Sequence, residues 1–163
     1  IKDISSLLLL AEILPSKVGS PLSLKSLGED LSISQPTAER WVEALSSLYY
    51  CYTILPYGAP KIRAVKKLKK LYMWEWSQVD EKGFRFENLV ASHLLKYCHF
   101  ITDTEGFPME VRYLRDTDGR EIDFVVLKNK VPIFAVECKT GDRTLSRHIE
   151  YFKARTKIPE FYQ

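Results

Sequence analysis

The chain has 163 residues, which predicts one or two domains. Hydrophobic residues make up 45% of it and charged residues 28%, a balance that excludes a disordered chain. With 24 Lys and Arg against 21 Asp and Glu, the net charge of +3 neither indicates nor excludes nucleic-acid binding.

Cysteine content and hydropathy indicate where such a protein would reside. The three cysteines form no CxxC motif and cannot all pair, which favours a reduced setting over a disulfide scaffold. The longest early apolar run, Leu7 to Ala11, is far shorter than the roughly 20 residues of a membrane span. No signal peptide is visible. We therefore expect a cytoplasmic protein that has no membrane partner.

The first part of the sequence predicts three short helices. Apolar residues recur at helical spacing over residues 4–14, and Pro15 ends that helix. Ser23 is suited to cap a second helix over residues 24–31, and Ser34 to cap a third. The second and third helices are separated by two residues, an arrangement that resembles a helix-turn-helix.

Two strands follow these helices. Residues 49–55 are aromatic and β-branched, which predicts one strand, and residues 71–74 predict another after a Pro- and Gly-containing loop. Three helices and a two-stranded ribbon form a winged helix, in which the third helix is the usual reader of the major groove. Because winged helices also bind proteins, DNA contact and protein contact both remain open.

A block of positive charge lies between the two predicted strands. No Asp or Glu occurs between Glu43 and Glu75. Such a block can bind phosphates, with Arg40 on the exposed side of the third helix as a further candidate, or it can be a solvated basic surface. The candidate nucleic-acid-binding residues in the block are Lys61, Arg63, Lys66, Lys67, Lys69 and Lys70.

A long amphipathic helix is predicted from Phe84 to Tyr97. Glu87 lies near its apolar stripe, because Leu94 follows it by two helical turns. An unpaired carboxylate in such a position is costly, so we expect a cation to contact Glu87.

Three strands and a helix complete the predicted elements. Residues 111–115 predict a strand, and an Asp-Gly turn leads to a second strand over residues 121–127. A tight connection with its pivot near Asn129 or Lys130 leads to a third strand over residues 131–139. Most of this third strand is apolar, as expected of a strand covered on both faces. The last helix follows, with Asp142 as its predicted cap.

The hairpin formed by the last two strands gathers charged residues at one end. Its pivot places Asp123 opposite Glu137 or one residue away, and alternation places Glu137 and Lys139 on one face. Two neighbouring carboxylates repel each other, and a divalent cation such as Mg²⁺ or Mn²⁺ would remove that conflict. Lys139 would then orient water or stabilise charge on a phosphate. The alternative is a structural salt-bridge cluster.

These residues, in this order, resemble the PD-(D/E)XK nuclease-like superfamily, although Ile122 stands where the superfamily name has Pro. The sequence is also similar to the C-terminal region of predicted bacterial and archaeal AAA-type ATPases. That resemblance implies a catalytic set of Glu87, Asp123, Glu137 and Lys139, with Asp123 and Glu137 as metal ligands. The matching segments are Lys70 to Ser77, Phe84 to Leu95, Tyr113 to Asp116, Arg120 to Phe124 and Val136 to Lys139.

The resemblance also implies a division of the chain and two alternative functions. We expect an α/β (α+β overall) protein, with a winged helix-turn-helix over residues 1–80 and a PD-(D/E)XK restriction-endonuclease-like domain over residues 81–163. The leading hypothesis is DNA handling, with metal-dependent endo- or exodeoxyribonuclease activity. The alternative is an inactive nuclease-like scaffold for protein interaction or homo-oligomerisation. Related RecB-like nucleases often carry Gln-x-x-x-Tyr on the last helix, and Arg147 replaces the Gln here, which favours the alternative.

The ends of the sequence add a further expectation. No P-loop motif occurs in the chain, so the ATPase domain of such a protein would precede Ile1. The end at Gln163 leaves little room for a closing helix, so we expect the second domain to be truncated there.

Overall fold

A computed structural model describes residues 4–58, 68–141 and 144–163. In these ranges the fold is α+β, with five α-helices and a six-stranded mixed sheet in the order β2-β1-β3-β4-β5-β6. The helices are α1 (Ile4–Ile13), α2 (Leu24–Asp30), α3 (Gln35–Ser47), α4 (Lys82–Glu105) and α5 (Arg147–Lys153). The strands are β1 (Cys51–Pro56), β2 (Lys70–Met73), β3 (Met109–Arg115), β4 (Glu121–Lys128), β5 (Val131–Val136) and β6 (Phe161–Tyr162).

The chain divides into two compact units. The first unit comprises Ile1–Thr53 and Leu68–Asn88, and the second comprises Ile54–Lys67 and Leu89–Gln163. The divisions therefore fall inside β1 and inside α4.

The first unit contains α1, α2, α3 and β2. The Ser23 hydroxyl accepts a hydrogen bond from the Ser26 N–H at 3.2 Å, and the Ser34 hydroxyl accepts one from the Thr37 N–H at 3.3 Å. These bonds satisfy N–H groups that the first helical turn leaves without partners. Both predicted caps are confirmed. The core of this unit is largely leucine and aromatic: Leu10, Leu14, Leu27, Leu45, Leu71 and Tyr72 are all buried.

The second unit contains a sheet, the short helix α5 and the C-terminal part of α4, whose Tyr97 ring contacts Phe134 of β5. β3, β4 and β5 are antiparallel neighbours, and β6 pairs in parallel with β5. Ile149 and Phe152 of α5 belong to the same buried cluster as Val125 and Ala135 of the sheet. Since side chains on one face recur every second residue, Asp123 and Glu137 continue the row that contains Val125 and Ala135.

Several element boundaries differ from the sequence prediction. β5 ends at Val136 rather than at residue 139. α5 begins at Arg147 and is capped by Ser146, whose hydroxyl accepts a hydrogen bond from the His148 N–H, so Asp142 does not adjoin its first turn. Residue 142 itself lies outside the described residues. β6 was not predicted, because two residues give no periodic signal.

A two-residue turn joins β4 and β5. Lys128 pairs with Val131, and both residues between them have positive φ angles, 51° at Asn129 and 65° at Lys130. This is the geometry of a type I′ turn, whose backbone twist matches that of the strands. The predicted pivot is confirmed.

The strain at this turn gives a stability prediction. Lys130→Gly should raise the free energy of unfolding by about 0.5–1 kcal/mol, because glycine removes the clash of a Cβ atom at positive φ. Lys128→Gly, in the adjoining strand, should instead lower stability by about 0.5–1 kcal/mol. Urea unfolding followed by circular dichroism measures both, and equal destabilisation by the two changes would contradict the expectation.

Within residues 4–58, 68–141 and 144–163, no helix is both long enough and apolar enough to cross a membrane.

Candidate active site

Asp123 and Glu137 lie opposite each other at one end of the β4–β5 hairpin. Phe124 pairs with Val136, and the next step of this antiparallel register places Asp123 at the level of Glu137. The Asp123 carboxylate also contacts the residue that follows Glu137: its Oδ2 accepts a hydrogen bond of 2.7 Å from the Cys138 N–H. The hairpin therefore holds the two carboxylates at one level.

A register shift creates this pairing. Between Val126 and Leu127, the partner strand β5 gains one residue relative to β4. Without that residue, the tight turn would place Asp123 opposite Val136 rather than opposite Glu137. β-bulges commonly redirect side chains beside functional sites, and this one brings the carboxylates to the same level.

Glu137 is the most constrained member of the site. It is only 3% exposed, and its Oε1 lies 2.7 Å from the Lys139 Nζ. Its other oxygen, Oε2, is buried and has no hydrogen-bond partner within residues 4–58, 68–141 and 144–163. Such an atom loses its water without compensation, a cost of about 1–3 kcal/mol or more for a charged group. The site therefore contains one buried carboxylate oxygen that the described part of the chain does not satisfy.

Lys139 lies at the exposed edge of this site. Its side chain is 41% exposed, although it follows a buried glutamate by only two residues. Partial burial lowers the pKa of the Lys139 ammonium, but the hydrogen bond from Lys139 to Glu137 and the charges of Glu137 and Asp123 outweigh that effect and raise the pKa. Lys139 is therefore cationic at neutral pH.

The donor set suits a hard divalent cation that keeps part of its water shell. Mg²⁺ prefers oxygen ligands and is often bound by one or two carboxylates together with water. Asp123 and Glu137 supply such carboxylates, and the Glu137 Oε2 is the buried oxygen among them without a partner in the described residues. No group of three or more His, Cys, Asp or Glu side chains in the described part of the chain could by itself hold a metal.

Glu87, the fourth residue of the predicted set, has a different environment within the first unit. Its Oε1 accepts hydrogen bonds from the Lys70 Nζ at 3.1 Å and from the Tyr72 hydroxyl at 2.7 Å. The expectation that a cation contacts Glu87 is confirmed. Lys70 compensates the charge of Glu87 in the protein interior, and this contact joins α4 to β2; the catalytic role of Glu87 stays a prediction.

Asn88 extends this connection between α4 and β2. Its side-chain amide accepts a hydrogen bond from the Met73 N–H and donates one to the Met73 carbonyl, both at 2.8 Å. By pairing with both backbone groups of Met73, the amide makes the two hydrogen bonds that a neighbouring strand would otherwise make to this residue of β2. Glu87 and Asn88 together therefore fix the position of α4 along β2.

The candidate nucleic-acid-binding residues fall into three groups. Arg40 and Lys69 are exposed in the first unit. Lys70 is fully buried, so its placement on an exposed basic surface is wrong: all four residues of β2 are buried, and Glu87 compensates the charge of Lys70 there. The others, Lys61, Arg63, Lys66 and Lys67, lie outside the described residues.

One cluster of the second unit was missed by the sequence analysis. Tyr151 has two guanidinium groups over its ring, that of Arg120 at 4.3 Å from the centroid and that of Arg155 at 4.1 Å. The i, i+4 spacing of Tyr151 and Arg155 was a visible signal for half of the cluster. The Arg120 contact joins distant parts of the sequence and gives no local signal.

Comparison with known proteins gives two partial matches. No curated protein and no solved structure matches the chain. Residues 1–77 match the family model described as "Domain of unknown function (DUF8612)". Residues 82–162, which include Asp123, Glu137 and Lys139, match the family model described as "Domain of unknown function (DUF4143)".

Proposed function

We propose that the second unit is a divalent-cation-dependent nuclease centre that hydrolyses phosphodiester bonds in DNA. The observation that carries this proposal is the Glu137 Oε2, a buried carboxylate oxygen without a hydrogen-bond partner among the described residues, on the residue that faces Asp123. A buried polar atom of this kind calls for a partner from outside the chain, and a water molecule or a metal ion can each supply one.

Asp123 and Glu137 would hold Mg²⁺ or Mn²⁺. When bound, such an ion supplies an activated water and stabilises charge on the phosphate. The chain's own contribution is to position the two carboxylates: the Cys138 N–H holds Asp123 and the Lys139 ammonium holds Glu137. Both contacts reduce the freedom of the carboxylates before any ligand arrives.

Lys139 would act on the substrate. Its ammonium is partly exposed and carries a raised pKa, so it remains charged beside an incoming phosphodiester. A cation in that position stabilises the negative charge that develops on the phosphate oxygens. It also lies next to the carboxylates, where it can orient a water molecule.

The wider context is part of the same proposal. The matched DUF4143 domain is one typically found with AAA-type ATPases, which supports a role as the C-terminal, DNA-handling part of such a cytoplasmic protein. In this proposal the second unit has a PD-(D/E)XK-like fold. The first unit acts as a winged helix, with Arg40 and Lys69 among its DNA contacts.

Cleavage of plasmid DNA tests the proposed reaction. With Mg²⁺ or Mn²⁺ the parent protein should nick or linearise plasmid, and Asp123→Ala and Lys139→Ala should each lower the rate by about 100-fold or more. Glu160→Ala removes an exposed acid of the same unit and should leave the rate unchanged. Absence of cleavage by the parent, or equal cleavage by Asp123→Ala, would contradict the nuclease proposal.

An inactive scaffold is the second candidate function. The 2.7 Å contact between Glu137 and Lys139 favours it, because the ammonium already compensates one carboxylate without a metal. Arg147, at the position where related nucleases often have Gln, favours it as well. In that case the unit would serve protein interaction or homo-oligomerisation, and metal would leave its stability unchanged.

A further inference from the structure

We propose that α5 and the residues after it bind the phosphate backbone of DNA. We call this surface the α5 arginine face and define it by Arg147, Tyr151 and Arg155. The inference rests on the proposed DNA substrate and adds a second contact surface, which is separate in sequence from the basic block between the first two strands.

The segment that contains α5 carries an excess of positive charge. Residues 144–158 contain four Lys and Arg but a single acid, Glu150. This segment thus has a net charge of +3, equal to that of the whole chain, so all the other residues together are balanced. Such an excess attracts a polyanion and releases its counterions.

The spacing of the arginines places them on one surface. Arg147, Tyr151 and Arg155 follow one another at intervals of four residues, which places them along one side of α5 and its C-terminal continuation. Arg147 and Arg155 are both exposed. Among the residues that the structure describes, neither guanidinium forms an ion pair. Their charges are therefore available to an external anion.

Tyr151 holds Arg155 in position. The Arg155 guanidinium lies 4.1 Å from the ring centroid, and its Nη1 donates a hydrogen bond of 3.3 Å to the Tyr151 carbonyl. A guanidinium that is already ordered loses less side-chain freedom on binding. Its planar fork matches the two free oxygens of a phosphodiester. Arg155 is thus prepared for phosphate rather than freely mobile in solvent.

Arg120 supports the same ring from another part of the chain. Its guanidinium also lies over Tyr151, while its Nη1 donates to the Asp116 and Asp118 carboxylates at 2.7 and 2.8 Å. Because these acids compensate its charge, Arg120 anchors the ring rather than binding phosphate. With two guanidinium groups over it, the ring serves to position cations rather than to stack a base.

The arginine face begins close to the proposed active site. The His148 Nδ1 lies 3.1 Å from the Glu121 carbonyl, which places the start of α5 beside β4, two residues before Asp123. A backbone carbonyl only accepts, so the Nδ1 donates in this bond. A DNA strand bound along α5 would therefore lie in the same unit as the carboxylates.

Binding to a fluorescein-labelled oligothymidylate, measured by anisotropy in EDTA, tests this inference without metal or hydrolysis. The double variant Arg147→Ala/Arg155→Ala should weaken binding about 25-fold at about 0.1 M salt. It should also reduce the salt slope by about 1.4, since each single-strand phosphate contact contributes about 0.7. Tyr151→Phe keeps the ring and should bind like the parent, whereas Tyr151→Leu should weaken binding.

A charge-matched control separates this surface from a general effect of net charge. Lys82→Ala/Lys96→Ala removes two exposed cations from α4 and should change the affinity by about twofold or less, because no phosphate contact is lost. The inference is overturned if the parent does not bind, if the arginine and lysine double variants lose equal affinity, or if the parent prefers phosphatidylserine vesicles to DNA. DNA binding without plasmid cleavage would overturn the nuclease proposal alone.

Discussion

Lys70→Met should lower the free energy of unfolding by about 3–5 kcal/mol, because it removes the ammonium partner of a buried carboxylate. Lys70 is fully buried, and its Nζ lies 3.1 Å from the Glu87 Oε1. The Tyr72 hydroxyl donates to the same oxygen but carries no charge, so it cannot replace the ammonium. Urea unfolding followed by circular dichroism measures the loss.

Two further variants identify the cause. Lys69→Met changes the neighbouring exposed lysine in the same way and should alter stability by no more than about 0.5 kcal/mol. Lys70→Met/Glu87→Leu removes both charges and should regain much of the lost stability, because no carboxylate is then left buried. Equal stability of Lys70→Met and Lys69→Met would contradict the buried ion pair.

Divalent cations should stabilise the parent protein and have no such effect on Glu137→Gln. An ion present at ten times its dissociation constant adds about 1.4 kcal/mol, which raises the melting temperature of a chain of this size by about 3–6 °C. The amide of Glu137→Gln has no charge and presents an NH2 group to the cation, so the stabilisation should disappear. Thermal melts with and without Mg²⁺ measure the shift.

Glu160→Gln is the matched control for this prediction. It makes the same chemical change at an exposed position of the second unit, and its melting temperature should rise with Mg²⁺ as that of the parent does. A loss of the shift in both variants would indicate a general effect of charge and would contradict a site at Glu137.

Local signals predicted much of the fold. The caps at Ser23 and Ser34 and the pivot at Asn129 and Lys130 depend on residues only a few positions apart, which the sequence displays directly. The cation at Glu87 was also predictable, because an amphipathic helix cannot bury a lone carboxylate. Each of these predictions follows from the free-energy cost of an unpaired polar group or of a strained turn, and the type of residue at that position reveals the cost.

Long-range contacts account for what the sequence did not reveal. The cation that meets Glu87 is Lys70, which belongs to a basic block along the sequence but faces the interior of the first unit. The register shift that pairs Asp123 with Glu137 depends on how two strands align, and the sequence allowed either of two positions. The Tyr151 cluster likewise needs Arg120 from a distant turn.

Calorimetric titration with Mn²⁺ tests the central claim that the buried Glu137 oxygen is a metal ligand. We expect the parent to bind one ion per chain at millimolar or lower concentration, Glu160→Gln to bind it equally, and Glu137→Gln to give no heat of binding. Absence of binding by the parent, or unchanged binding by Glu137→Gln, would contradict the metal site and favour the scaffold.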